Sequence, residues 1–244
     1  MSPRLSVLTA GRVLRQLRAD HRTVALLVVV PCVLIGLLAW MYSGTPVFRV
    51  VGPALLGIFP FTVMFLVTSI ATLRERTGGT LERLLTTPLG KADFMVGYAL
   101  AFALVAVVQG VVTVAFAIWV CGLDVAGPVW LLVVIAVADA VLGCALGLLA
   151  SAFATSEFQA VQFMPAFVLP QFLLCGLLTP RDNLPAVLHG VSDVLPLSYA
   201  VQAMTAITRT SADTGEAGRD LLVILGFVVL ALGLGSLTLR RRTV

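Results

Sequence analysis

Long apolar runs separated by short polar breaks dominate the chain. They cover Val24 to Tyr42, residues 50–73, Phe94 to Cys121, Val129 to Phe153, Gln159–Leu178 and Leu221–Leu239. Each is close to the roughly 20 residues that a helix needs to cross a bilayer, so the pattern predicts six spans. Pro53 and Pro60 fall in or at the start of the second. Gly122 to Pro128 reads as a tight turn between the third and fourth, and only Ala154 to Phe158 separate the fourth from the fifth. Ahead of the first span, residues 3–22 have an amphipathic pattern. At about 100° per residue, Arg4, Arg15, Arg18 and Arg22 share one face, and Val7, Ala10, Val13, Leu14 and Leu17 are expected opposite. With Arg12, this segment is expected to lie in the membrane surface, its basic side toward anionic headgroups. A plain solvated helix is the alternative. A cleaved signal peptide is not expected, because the basic region is too long and no A-x-A site follows the apolar run.

Composition narrows the class. Of 244 residues, 59% are hydrophobic and 11% charged, and the mean hydropathy is +1.06. Soluble domains average about 25% charged residues. Too little charge remains to cover a soluble surface, which excludes a water-soluble enzyme, a disordered chain and a disulfide scaffold. The expected fold is an all-α membrane protein. Cys32, Cys121, Cys144 and Cys175 all lie in apolar stretches without a C-x-x-C spacing, so they read as small buried hydrophobes.

The placement of charge supplies a topology. Six spans put both termini on one side. That side carries the basic residues of the N-terminal segment, Arg74, Arg76, Arg83 and Lys91, and the tail Arg240, Arg241 and Arg242; the other side carries Arg49, Arg181, Arg209 and Arg219. Twelve against four places the termini and the 74–93 loop in the cytoplasm of a bacterial cell membrane. The arginines flank apolar spans, which argues against nucleic-acid binding.

Two polar segments stand out. Between spans two and three, Gly78-Gly79 breaks the helix, Thr80 can cap a new one, and Leu81, Leu84 and Leu85 share a face. Pro88 stops it. Such a helix can dock into a groove on a soluble partner; an ordinary amphipathic loop is the alternative. Between spans five and six, Leu184 to Val201 is moderately apolar but interrupted by Pro185 and Pro196. It is too short to span and is expected to dip into the outer leaflet as re-entrant helices, or to fold over the bundle as a surface loop.

The first segment resembles the coupling-helix region of ABC-2 type transporter permeases, with its E-R-x-x-G-T-L-E-x-L-x-x-x-P pattern. The match falls on Glu75, Arg76, Gly79, Thr80, Leu81, Glu82, Leu84 and Pro88. Residues 176–204 are similar to the segment between spans five and six of that family. The matching features are Pro180, Asn183, Leu184 and Pro185, and the Leu195, Pro196 and Tyr199 pattern. Within the family the chain resembles drug-export permeases of the daunorubicin-resistance kind. The resemblance implies the membrane half of an ATP-driven exporter, in which two permease subunits, identical or different, pair with two ATPase chains. ATP and magnesium would then sit on the ATPase, with no cofactor on this chain. It also implies that the N-terminal helix and the Leu81–Leu85 helix contact the ATPase. The implied organisation is a single transmembrane domain. Residues 1–23 form the interfacial helix, 24–73 spans one and two, 74–93 the coupling region and 94–178 spans three to five. Residues 179–220 form the extracytoplasmic re-entrant segment, 221–239 span six and 240–244 the basic tail.

No catalytic or metal-binding motif is present. The one Gly-Lys pair, Gly90-Lys91, lacks the first glycine and the Ser/Thr of a P-loop. Asp139, near the middle of span four, is a candidate point on a substrate path or the partner of an interhelical hydrogen bond to a group such as Gln109 or Thr113. In span five, Gln159, Gln162, Pro165, Pro170 and Gln171 suggest a bendable, partly polar helix suited to such a path. Gly143 and Gly147 form a G-x-x-x-G that favours close helix contact. The expected cargo is an amphipathic drug or lipid-like molecule. Alternatives are a lipid or glycan-precursor exporter of the same family and a non-transporting membrane scaffold or immunity protein.

Overall fold

The computed structural model of the chain describes residues 3–78, 91–210 and 214–238. All regular structure among them is helical: α1 (Pro3–Ala19), α2 (His21–Met41), α3 (Val47–Thr77), α4 (Lys91–Trp119), α5 (Val129–Ser151), α6 (Glu157–Leu174), α7 (Ala186–Val194), α8 (Pro196–Arg209) and α9 (Thr214–Thr238), with a short 3₁₀ turn at Arg181–Asn183. Five of these, α2, α3, α4, α5 and α9, are long and apolar enough to cross a membrane. The expected fifth span, α6, is not among them. It stops at Leu174, short of residue 178, and its 18 residues carry three glutamines and two prolines. It is still about 27 Å long at 1.5 Å per residue.

Local chemistry sets the helix ends. Asp20 caps α2 by accepting from the Thr23 N–H at 3.2 Å, and Ser156 caps α6 by accepting from the Gln159 N–H at 3.2 Å. The expected break after the second span is met at Gly78, whose N–H bonds the Arg74 carbonyl. Prolines lie inside α2, α3 and α6 without ending them. Pro31 of α2 has no N–H for the Leu27 carbonyl one turn earlier. Gln109 of α4 fills that vacancy, its Nε2 donating to Leu27 O at 2.7 Å.

The centre of the fold is the seam between α3 and α5. A Cβ placed on Gly143 would stand 2.4 Å from Phe61 O, and one on Gly147 would stand 2.5 Å from Phe65 O. The G-x-x-x-G therefore joins two helices of one chain at backbone contact. Phe61, Phe65, Leu132, Ile135 and Leu142 fill the surrounding core. A second cluster around Tyr98 and Phe102 ties α1 to α4.

α1 is packed onto the bundle more firmly than an interfacial helix need be. Its buried face is Ser6, Thr9, Ala10, Val13 and Leu17. Small residues allow this: a Cβ on Gly97 of α4 would lie 2.6 Å from Thr9 Cβ. Arg4, Arg15, Arg18 and Arg22 are exposed, as the pattern predicts. Val7, expected on the apolar face, is 63% exposed. Helical spacing puts it only about 60° from Arg4, so it lies beside the arginine stripe.

The bundle has two chemically distinct ends. All three tryptophans, Trp40, Trp119 and Trp130, are exposed at the end where α2 and α4 finish and α5 begins. Such aromatics mark a membrane–water interface. At the same end Arg49 pairs with Asp124 at 3.0 Å. The opposite end holds α1, the end of α3, the start of α4 and the α5–α6 junction.

Candidate functional site

At the α1 end, three consecutive residues of α3 grip three different helices. Arg74 forms a two-point bond to Glu157 of α6, with Nε and Nη2 at 2.8 and 3.0 Å from the carboxylate oxygens. Glu75 turns toward α1: its Oε2 is 3.5 Å from Arg12 Nη1, and its Oε1 accepts from Gln16 Nε2 at 3.2 Å. Arg76 donates from Nη1 to the Ser151 carbonyl at the end of α5. Successive helical positions differ by about 100°, which sends the three side chains to three neighbours. Arg12 also donates to the Tyr98 hydroxyl of α4 at 3.1 Å, so it faces inward, unlike the other arginines of α1. Gly79, Thr80, Leu81, Glu82, Leu84, Leu85 and Pro88 lie outside the described residues, as do Arg240, Arg241 and Arg242. In sequence, residues 79–90 follow this junction directly.

The second cluster involves α7 and α8. Pro185 and Pro196 immediately precede or open the two helices, so the expected breaks become two short helices with a bend at Leu195. α8 begins deep in the bundle, where the Leu197 N–H donates to Gln171 Oε1 of α6 at 3.2 Å. It ends at the tryptophan end, where the Gly127 N–H donates to Ile207 O at 2.9 Å. Ser192 of α7 bonds the Leu174 carbonyl at the end of α6, at 2.9 Å. Arg181 clamps the pair. It bonds Asp193 at 2.5 Å, donates to Gln202, and lies 5.2 Å from the centre of the Tyr199 ring. Tyr199 in turn donates to Asp193 O at 2.8 Å. Pro180 and Leu184 flank the 3₁₀ turn that holds Arg181 and ends at Asn183.

The candidate path residues do not form one site. Asp139 is fully buried inside the chain. The expected bonds to Gln109 or Thr113 are not made. Gln109 is engaged with Leu27, and the Thr113 hydroxyl donates to Gln109 O at 2.6 Å. Neither Asp139 oxygen has a hydrogen-bond partner among the described residues. Its Oδ2 lies over the bare backbone of Gly57, 3.7 Å from where a Cβ would stand, with Val201 and Met204 of α8 at 3.3 and 3.7 Å from the same point. On α6, Gln159 accepts from Thr155 and so closes its own helix start. Gln162, Pro165 and Pro170 lie on the exposed face. Only Gln171 is buried, where it caps α8. Beside Pro170 and Gln171, the bend at Leu195 and the helices α5 and α9 line an open apolar hollow of about 320 Å³, with Leu146, Phe227 and Leu230 on its walls.

The sequence pattern of the ABC-2 type transporter family is matched over residues 4–208. The chain belongs to that family. With its five spanning helices it is a multi-pass membrane protein. This ABC-2 chain is 30% identical over 147 residues to the probable multidrug ABC transporter permease YbhR of Escherichia coli (strain K12), covering 60% of this chain and 40% of that protein. It is 23% identical over 186 residues to the linearmycin resistance permease protein LnrN of Bacillus subtilis (strain 168), covering 74% and 48%. It is 24% identical over 192 residues to ABC transporter G family member 20 of Dictyostelium discoideum, covering 78% and 26%. The alignments thus span less than half the length of each of these relatives.

Within this ABC-2 chain, sequence reading singled out Glu75 and Arg76 but missed Arg74, Arg181, Asp193 and Gln202. In the sequence Arg181 stands out only as a basic residue of the less basic side. Its partners are 12 and 21 residues away and belong to no motif. The Glu75 pair lends itself to a direct test. Glu75→Gln keeps the bond to Gln16 but removes the charge facing Arg12. The pair is only partly exposed, so the loss is expected at about 1–2 kcal/mol, between a surface pair and a fully buried one. Hydrogen exchange should quicken in α1 and leave α5 and α9 unchanged.

Proposed function

We propose that this chain is the transmembrane subunit of a bacterial ATP-driven exporter, working as a dimer with two separate ATPase chains. The observation that carries the reading is the Arg74–Glu75–Arg76 junction. A push on the segment that follows it would reach α1, α5 and α6 together, because each is bonded to a neighbouring residue of one helix turn. Rigid, bonded elements of this kind can pass a displacement from a docking site to the spans.

In this reading α6 is the fifth of six spans. Its start is bonded to the α1 end through Glu157, and its end meets Ser192 of α7. The α1 end is cytoplasmic, in keeping with the excess of basic residues there and the tryptophans at the other end. The paired helices α7 and α8 enter the outer half of the bundle as a re-entrant pair, with the backbone at Leu197 satisfied by Gln171, as irregular backbone at membrane depth must be. The cargo is an amphipathic drug or lipid-like molecule, in line with the apolar hollow beside Pro170 and the relatives named for multidrug transport and linearmycin resistance. The exposed α6 face with Gln162 and Pro165 then belongs to the cargo path or to the second permease subunit.

The test is co-purification and turnover. An ATPase should accompany the chain and be stimulated by it in liposomes. Leu81→Asp, Leu84→Asp and Leu85→Asp together should cut that stimulation by at least about tenfold, since desolvating one carboxylate in an apolar groove already costs that much. Full stimulation by the triple variant would remove the docking role of this segment.

A further inference from the structure

A second crevice, of about 460 Å³, opens at the α1 end between the start of α2 and the end of α3. One wall is a single face of α3: Leu66, Val67, Ile70 and Ala71 lead along it to Arg74. The other is Leu26 of α2, which is 55% exposed. Phe102 and Leu17 close the floor. The walls are apolar, and the mouth is polar. Charge of both signs stands at that mouth. Arg74 spends Nε and Nη2 on Glu157 and keeps Nη1 for a further acceptor. Asp20 faces it from the cap of α2, where it accepts from the Thr23 hydroxyl and N–H and from the backbone of Arg22, and its two oxygens still leave a lone pair for a further donor. The Thr23 hydroxyl first, and the Thr23 N–H second, hold the Asp20 carboxyl below its ordinary value, so it is ionised at neutral pH. Glu75 and Gln16 complete the rim.

We propose that this crevice is a binding site for a phospholipid with a primary-amine headgroup, taken from the leaflet at the α1 end. The phosphate would bond Arg74, the ammonium would bond Asp20, and one acyl chain would lie along Leu66, Val67 and Ile70. The chemistry selects among headgroups. A quaternary ammonium carries no N–H to donate to Asp20. A glycerol headgroup places no positive charge beside two carboxylates. A phosphoethanolamine headgroup satisfies both signs at once. The proposal needs only the membrane setting of the chain and not the ATPase partnership, so a failure of either leaves the other standing.

The experiment uses the purified full chain in a neutral detergent. It is offered equimolar phosphatidylethanolamine, phosphatidylcholine and phosphatidylglycerol with identical acyl chains, and bound lipid is read by native mass spectrometry. Phosphatidylethanolamine should be retained about tenfold over the other two, the ratio that one charge-assisted hydrogen bond supplies. Asp20→Asn keeps the helix cap, because asparagine caps as well as aspartate, and should bring the ratio to about one. Leu66→Trp should fill the crevice and lower retention of all three. Equal retention of the three lipids by the unmodified chain would overturn the proposal. So would a preference that survives Asp20→Asn, or retention of phosphatidylethanolamine that Leu66→Trp leaves unchanged.

Discussion

Gly143→Val is expected to abolish the folded bundle, and Gly147→Val to do nearly as much. A Cβ at either position meets the backbone carbonyl of α3 at 2.4–2.5 Å. At Gly143 it also comes within 3.1 Å of the Phe61 Cα and carbonyl carbon. These are backbone atoms in a helix and have no rotamer to escape into. Ordinary contact begins near 3.4 Å, so the helices must part by about 1 Å along a seam that holds the whole core together. Overpacking of a tight core costs about 1–3 kcal/mol and sometimes more. Alanine should fall in that range. Valine adds two further methyl groups and should exceed it. The two sites share one seam, so their effects will not add. Membrane helices gain little from apolar burial against lipid and rely on close packing of small residues, which sharpens the penalty. Gly226→Ala and Gly233→Ala on α9 are the controls, since nothing lies within 4 Å of a Cβ there. They should keep or slightly raise the melting temperature, because alanine is the better helix former. Monodispersity and thermal melting in detergent read all four. A Gly143→Val chain that melts with the unmodified one would refute the packing assigned to α3 and α5.

Asp139→Leu is expected to make the protein more stable. The carboxyl is fully buried near the middle of a spanning helix and neither oxygen finds a partner among the described residues. A carboxylate at the centre of a bilayer costs about 2.5–3.5 kcal/mol on insertion scales. Replacing an unsatisfied polar group by an apolar one removes that cost. Leucine must fit against Val201, Met204 and the bare backbone of Gly57, so the net gain should be nearer 2 kcal/mol. Asp139→Asn should gain less, because an amide there still lacks partners. Melting of the two variants in one detergent gives the comparison. Destabilisation by both would mean that the carboxylate is bound and satisfied in the native state. If stability rises while transport of an identified cargo falls, the carboxyl serves function at the expense of the fold.

Much of the architecture was legible in the chain. Five of six apolar runs are helices long and apolar enough to span, because in a bilayer length and continuous apolarity suffice. The fifth run, α6, carries the glutamines and prolines that suggest a path, and those same residues lower its apolarity. The G-x-x-x-G was legible as a contact, but its partner was not. The breaks at Pro185 and Pro196 were legible because proline acts locally. The candidate path residues fared differently. A list of polar positions in a span carries no azimuth relative to neighbours. Asp139 proved sealed under α8, while Gln162 and Pro165 face outward.

The sequence by itself determined that this is a helical membrane protein and where five helices long and apolar enough to span a membrane lie. Each of those follows from local composition against the bilayer. Only the tertiary structure decided who meets whom. It paired Gly143 with Phe61 across 82 residues, Arg74 with Glu157 across 83, and Arg181 with Gln202 between short helices. A helix offers the same periodic faces to any neighbour, and only the packed bundle selects which face each neighbour receives.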